Sequence, residues 1–146
     1  MKIISKSLAE TEKFAQEFVA KLTPKKDEAT LVALSGELGS GKTTFVQFVA
    51  RTLGVKENIT SPTFVLIKSY QFTKGDFKIL YHIDAYRLEN GKELAKLGFE
   101  EIVADPKNLI FLEWPENVAE VLPADYLAIK FSFVDERTRA IEYRKM

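Results

Sequence analysis

Cysteine is absent from this sequence, and histidine and tryptophan occur once each. Disulfides and thiolate metal sites are therefore excluded, and the composition suits a reducing compartment. Net charge is missing too, since 21 Lys and Arg residues balance 21 Asp and Glu residues. A stand-alone nucleic-acid binder usually carries a basic excess, so that class is disfavoured, although a local basic patch remains open. No apolar run approaches the ~20 residues that a membrane span requires. The opening Met1-Lys2-Ile3-Ile4-Ser5 turns polar too soon for a secretory segment. A cytoplasmic protein without a membrane role is the expectation. No repeat, low-complexity tract or linker divides the chain, so one domain over residues 1–146 is expected.

What is present suits a packed core: 46% apolar residues, with eleven Phe and five Tyr. Met1–Ser5 is compatible with a short edge strand. Ser7 and Glu10 form a capping-box pattern, in which each side chain satisfies the other's backbone donor. Phe14, Phe18 and Leu22 then recur at four-residue spacing, which predicts a helix to about Leu22. Thr30–Leu34 is a β-type apolar run. The spacing of Phe45, Val46, Phe48, Val49 and Leu53 predicts a helix from Thr43, stopped by Gly54. Phe64–Phe72 and Phe77–Asp84 read as a hairpin, residues 91–104 as short helices, and Leu109–Glu113 as a strand. Alternation at Leu127, Ile129, Phe131 and Phe133, and again at Ile141 and Tyr143, predicts a second hairpin. Helices interleaved with two hairpins predict an α/β sandwich with a mixed parallel and antiparallel sheet, flanked by helices.

The segment Gly36-Glu37-Leu38-Gly39-Ser40-Gly41-Lys42-Thr43 matches the phosphate-binding pattern G-x-x-x-x-G-K-[ST], and Thr44 continues it into the helix. Glycines let the backbone curl so that successive N–H groups face phosphate oxygens. Lys42 supplies a cation, the Thr43 hydroxyl a Mg²⁺ ligand, and the following helix a positive dipole end. A strand before and a helix after are the context that turns this pattern into a nucleotide site. ATP and Mg²⁺ are the expected cofactors. The sequence does not locate the pocket for the base.

A phosphate-binding loop also needs a carboxylate near the metal and a group to orient the attacking water. Leu109-Ile110-Phe111-Leu112-Glu113 has the Walker B form, and Ile79–Asp84 places His82 and Asp84 on one face. Glu113 is expected with Thr43 in the Mg²⁺ shell, and Asp84 beside the water, with His82 or Thr63 in support; the two acids are open to exchange. Ser61-Pro62-Thr63 reads either as a Pro-led strand entry or as a switch segment in which Thr63 senses the γ-phosphate. Arg87 is either a surface charge or a phosphate sensor. Trp114 and Tyr86 are either core or contacts for a partner.

Taken together, these motifs resemble the TsaE (also called YjeE) family along essentially the whole chain. The likeness rests on Gly36–Phe45, Ser61-Pro62-Thr63-Phe64, His82-Ile83-Asp84-Ala85-Tyr86-Arg87, Glu113-Trp114-Pro115-Glu116 and the Leu94–Gly98 stretch. Departures are mild: Glu37 and Ser40 stand where Asp and Ala are usual, and Ile83 and Ala85 where Phe and Leu are. The resemblance implies a Mg²⁺-dependent ATPase, slow alone, in the tRNA threonylcarbamoyladenosine modification machinery. It implies TsaD and TsaB as partners, with tRNA met only through the assembly. Small-molecule kinases usually close an Arg-rich lid, whereas this chain has five Arg, at positions 51, 87, 137, 139 and 144. No Asn-Lys-x-Asp segment reads guanine, which disfavours a GTPase. A module using nucleotide only as a structural ligand is the remaining alternative.

Overall fold

Every residue of the run Asn108–Glu113 is buried, a pattern that only a strand covered on both faces sustains. Thr30–Ser35 is nearly the same, with Ser35 alone half-buried. In the computed structural model, which describes residues 1–57 and 66–146, these two runs lie side by side in parallel near the middle of a seven-stranded sheet. The chain runs β1 (Lys2–Ser5), α1 (Leu8–Ala20), β2 (Thr30–Ser35), α2 (Lys42–Thr52), β3 (Ile67–Gln71) and β4 (Ile79–Asp84). It continues through α3 (Gly91–Ala95), α4 (Phe99–Ala104), β5 (Asn108–Glu113), a 3-10 helix at Pro115–Val121, β6 (Leu127–Phe133) and β7 (Arg139–Lys145). Ser61, Pro62, Thr63 and Phe64 lie outside the described residues.

The sheet order is β1-β7-β6-β2-β5-β4-β3. Strands β6, β2, β5 and β4 are parallel to one another, while β7 and β3 run against their neighbours. The mixed sheet and both hairpins expected from the periodicity are therefore present. Strand β2 has β5 on one side and β6 on the other, so the chain reverses its winding there. Such a reversal opens a crevice beyond the carboxyl ends of the strands. The segment leaving β2 is the glycine-rich loop.

Alternation sorts the core into two layers. Val32, Leu34, Leu109 and Phe111 face α1 and α2, where Phe14, Phe18, Phe45 and Val49 meet them. Leu31, Ala33, Ile110 and Leu112 face the opposite side, packed with Leu94, Phe99 and Val118 from the short helices. Ser7 caps α1 as expected, accepting from the Glu10 N–H at 3.2 Å. The reciprocal bond differs: the Glu10 carboxylate accepts from the Lys6 N–H, one residue before the cap. Helix α1 ends at Ala20, and Leu22 packs on the core just beyond it. The 3-10 helix was not expected from the sequence; Pro115 opens it, and Asn117 Nδ2 donates to the Ala85 carbonyl at 3.0 Å, which ties it to the end of β4.

Phe45 is fully buried on α2, and its ring lies 5.7, 5.9, 6.1 and 5.4 Å from the rings of Phe14, Phe18, Phe111 and Phe131. Replacing a core aromatic removes its transfer energy and leaves a cavity that neighbours fill poorly. Phe45→Ala is expected to cost about 3–5 kcal/mol, read from the urea midpoint at unchanged m-value.

Candidate functional site

The glycine-rich loop passes so close to β6 that a Cβ on Gly36 would fall 2.5 Å from the Phe131 carbonyl oxygen, and its φ of +141° also favours glycine. Gly41, at φ +108°, is the N-cap of α2 and brings no side chain to the cap. The first-turn N–H groups of α2 thus face the crevice without a capping oxygen, a ready arrangement for an anion. Lys42 opens the helix and is buried. Its ammonium donates to the Gly36 carbonyl and lies 3.9 Å from the centroid of the Trp114 ring. Burial pushes the Lys42 pKa down, opposed by the charges of Glu113, Asp84 and Glu116.

Two carboxylates stand opposite that cation. Parallel pairing of β4 with β5 sets Asp84 level with Glu113 at the strand ends. Glu113 is buried, and its Oε2 accepts from Thr43 Oγ1 at 3.1 Å and lies 2.5 Å from His82 Nε2. His82 thus bonds the Glu113 carboxylate, not Asp84 as its place two residues before Asp84 suggested. Asp84 Oδ1 accepts from the Tyr86 N–H at 3.0 Å. Burial holds the Asp84 carboxyl above the usual range; the Tyr86 bond opposes this, the Glu113 charge adds to it, and His82 and Lys42 oppose it. Half-exposed Tyr86 packs on Trp114 with ring centroids 5.1 Å apart. Trp114 itself has a left-handed backbone, φ +60°, where the chain turns sharply out of β5.

Lys42, Thr43, Asp84, Tyr86, Glu113 and Trp114 line one cavity of about 780 Å³, bounded also by the loop from Leu38 to Thr44. Gly36 and Glu37 are not on its wall, and neither is exposed Arg87. Thr63 lies outside the described residues. The cavity also takes in a wall that the sequence did not announce: Ser7, Leu8 and Thr11 from the start of α1, and Glu136, Arg137 and Arg139 at the β6–β7 turn. Arg139 joins that turn to the loop, with Nη2 3.4 Å from the Gly39 carbonyl. No local pattern marks these residues, because pairing of β1 with β7 is what brings the two chain ends beside the loop.

Thr43 and Glu113 offer converging hard oxygens, and among the described residues no cluster of three or more His, Asp or Glu could hold a metal by itself. That donor set fits Mg²⁺, which commonly takes one or two protein oxygens and completes its shell with waters and substrate phosphates. Among the described residues no helix is long and apolar enough to cross a membrane.

A family model described as threonylcarbamoyl adenosine biosynthesis protein TsaE matches residues 5–141. The chain is similar to the tRNA threonylcarbamoyladenosine biosynthesis protein TsaE of Treponema pallidum, 35% identical over 141 residues, covering 97% of this chain and 98% of the relative. The protein of the same description from Rickettsia prowazekii is 34% identical over 140 residues, covering 95% and 91%. Among solved structures, the crystal structure of YdiB from Bacillus subtilus superposes with a TM-score of 0.77 at 28% identity, over 98% of this chain and 83% of that one.

Because the folded Asp84 pKa is raised above its ordinary value of 3.8, the folded state holds its proton to higher pH than the unfolded chain does. Its stabilising share is present below pH 3.8 and is lost as pH rises through the folded pKa, so the ionised carboxylate destabilises the ligand-free protein at neutral pH. Asp84→Asn is therefore expected to raise Tm at pH 7, with the gain shrinking as pH falls towards 3.8 in paired thermal melts. A Tm difference independent of pH would contradict the assignment.

Proposed function

This chain belongs to the TsaE family of tRNA threonylcarbamoyladenosine biosynthesis proteins, and on that premise we propose that it binds ATP with Mg²⁺ and hydrolyses it. The observation that carries this reading is the convergence of Lys42, Thr43, Asp84 and Glu113 on one cavity at the head of α2. The phosphates lie along Gly39–Thr44, where backbone N–H groups and the helix dipole favour negative charge. Lys42 exchanges the Gly36 carbonyl for a phosphate oxygen. Thr43 and Glu113 hold Mg²⁺, which when bound neutralises charge on the phosphates. Asp84, with its raised proton affinity, accepts a hydrogen bond from the attacking water and takes up its proton. The nucleoside is then placed against the wall that Leu8, Thr11 and the β6–β7 turn contribute to the same cavity.

Phosphoryl transfer needs positive charge around the γ-phosphate and a water held in line. Among the described residues of the cavity, Lys42 is the cation that interacts with Asp84 and Glu113, whereas Arg137 and Arg139 line it from the β6–β7 turn, with the Arg139 guanidinium bonded to the carbonyls of Asp135, Thr138 and Gly39. Slow hydrolysis by the chain alone follows, with acceleration when TsaB and TsaD order the site or add a cation. Tyr86, stacked on Trp114 at the rim, is a suitable aromatic contact for such a partner.

Lys42→Ala is expected to abolish tight ATP binding in isothermal titration, since the phosphates lose their compensating charge. Asp84→Asn is expected to retain binding while hydrolysis falls by about 10²–10⁴-fold, the usual worth of proton transfer by a positioned group. Loss of binding in the Asp84 variant would move that residue out of the water-activating role.

Partner stimulation is read from single-turnover phosphate release with and without TsaB and TsaD. The full mixture is expected to be faster; equal rates would remove the partner's part in catalysis.

A further inference from the structure

We propose that His82 is a positioning residue that fixes the Glu113 carboxylate through Nε2, and thereby turns the Thr43 hydroxyl towards the metal. The proposal rests on the reading of Thr43 and Glu113 as the metal-binding pair.

Glutamate reaches one methylene farther than aspartate, so its carboxylate has an additional torsion to fix and its terminal torsion is broad. A strand end alone does not select one orientation. In this fold three elements do so together: Glu113 comes from β5, Thr43 from α2 and His82 from β4. Thr43 Oγ1 at 3.1 Å and His82 Nε2 at 2.5 Å both meet the same oxygen, Oε2. Thr43 Oγ1 donates to that oxygen, and the His82 tautomer with its hydrogen on Nε2 donates to it as well. A hydroxyl whose hydrogen is committed presents its lone pairs elsewhere, here into the cavity that Thr43 lines. His82 acts at one remove on both metal-binding side chains while touching neither metal nor nucleotide.

Burial explains why this contact matters. His82 is fully buried, on a strand paired on both sides through Lys68 and Phe111. A polar ring there costs more than an aliphatic one of similar size unless its hydrogen bond returns the difference. The partner it has is the buried acid of the site. Outer partners of metal ligands typically change metal affinity by 10–100-fold when removed.

The geometry separates two conservative variants. In His82→Gln the side-chain amide nitrogen falls near the Nε2 position, whereas in His82→Asn it falls near Nδ1, short of Glu113. The readouts are ADP affinity in EDTA and the Mg²⁺ concentration that half-maximally tightens ADP binding, with Glu113→Gln measured alongside. His82→Asn is expected to raise the Mg²⁺ requirement on the order of 10–100-fold with unchanged affinity in EDTA, and His82→Gln to stay near the unmodified chain. Equal behaviour of the two variants, whether both normal or both impaired, would overturn the proposal. So would loss of ADP affinity in EDTA in the Asn variant, which would assign the ring to holding the fold. If Glu113→Gln shifts the Mg²⁺ requirement and His82→Asn does not, the positioning role alone is wrong. If Glu113→Gln leaves it unmoved, the metal reading fails and the proposal falls with it.

Discussion

A carboxylate withdrawn from water has to be met by donors, and the position of those donors then ties together whatever elements carry them. Glu113 is that group in this protein. Its side chain lies at the end of β5, and its Oε2 gathers Thr43 from the first turn of α2 and His82 from β4. The contact exists only because β4, β5 and β2 run parallel in a fixed register, with Asp84 opposite Glu113 and Leu34 opposite Glu113 on the other side. A slip of one residue in β4 would move His82 and Asp84 to the opposite face of the sheet. The hydrophobic layers prevent that slip, because Leu80 and Ile83, which pack in opposite layers, would exchange faces with it. The core thus sets the chemistry through register.

Lys42 is held by a second, looser arrangement. Its ammonium lies between the Gly36 carbonyl and the Trp114 ring, so the buried cation has an acceptor and a π-face before any phosphate arrives. Trp114 reaches it where the chain leaves β5 with a left-handed backbone, a conformation uncommon for residues other than glycine. Tyr86 follows β4 and packs on the outer side of the indole. Of the two aromatic residues that follow the acidic strand ends, Trp114 lies against the lysine and Tyr86 packs on Trp114.

The glycine-rich loop, the mixed sheet and the acids at two strand ends were legible because each is local: a spacing, an alternation, a run ending in charge. What escaped depends on pairing between distant segments. The partner of His82 follows from the β4–β5 register, and two-residue periodicity within β4 could only associate it with Asp84. Ser7 carried a capping signal that was correct, yet nothing near it says that α1 starts beside the loop; the β1–β7 pairing decides that. The cavity wall formed by Leu8, Thr11 and the β6–β7 turn was invisible for the same reason. The 3-10 helix after Glu113 depends on Asn117 reaching the carbonyls of Ala85 and Tyr86, about thirty residues earlier, which no window of neighbouring residues contains.

The charge pattern of the cavity suits a nucleotide and a divalent cation arriving together. Asp84 and Glu113 are level with each other, and the charge on Glu113 contributes to the raised proton affinity of Asp84. A nucleotide arriving alone would bring further negative charge towards that pair, met at this end chiefly by Lys42 and the amide dipoles of α2. A divalent cation arriving alone would find, among the described residues, Thr43 and Glu113 as a hydrogen-bonded pair of hard oxygens, fewer than its coordination shell needs. Each ligand supplies what the other lacks: phosphate oxygens complete the metal's shell, and the metal offsets the repulsion between phosphate and carboxylate. On the proposed hydrolytic reading, the same pairing would limit the unaided reaction. On that reading, charge at the acidic end would be balanced for binding rather than in excess for the transition state, leaving out the additional positive charge that fast phosphoryl transfer requires.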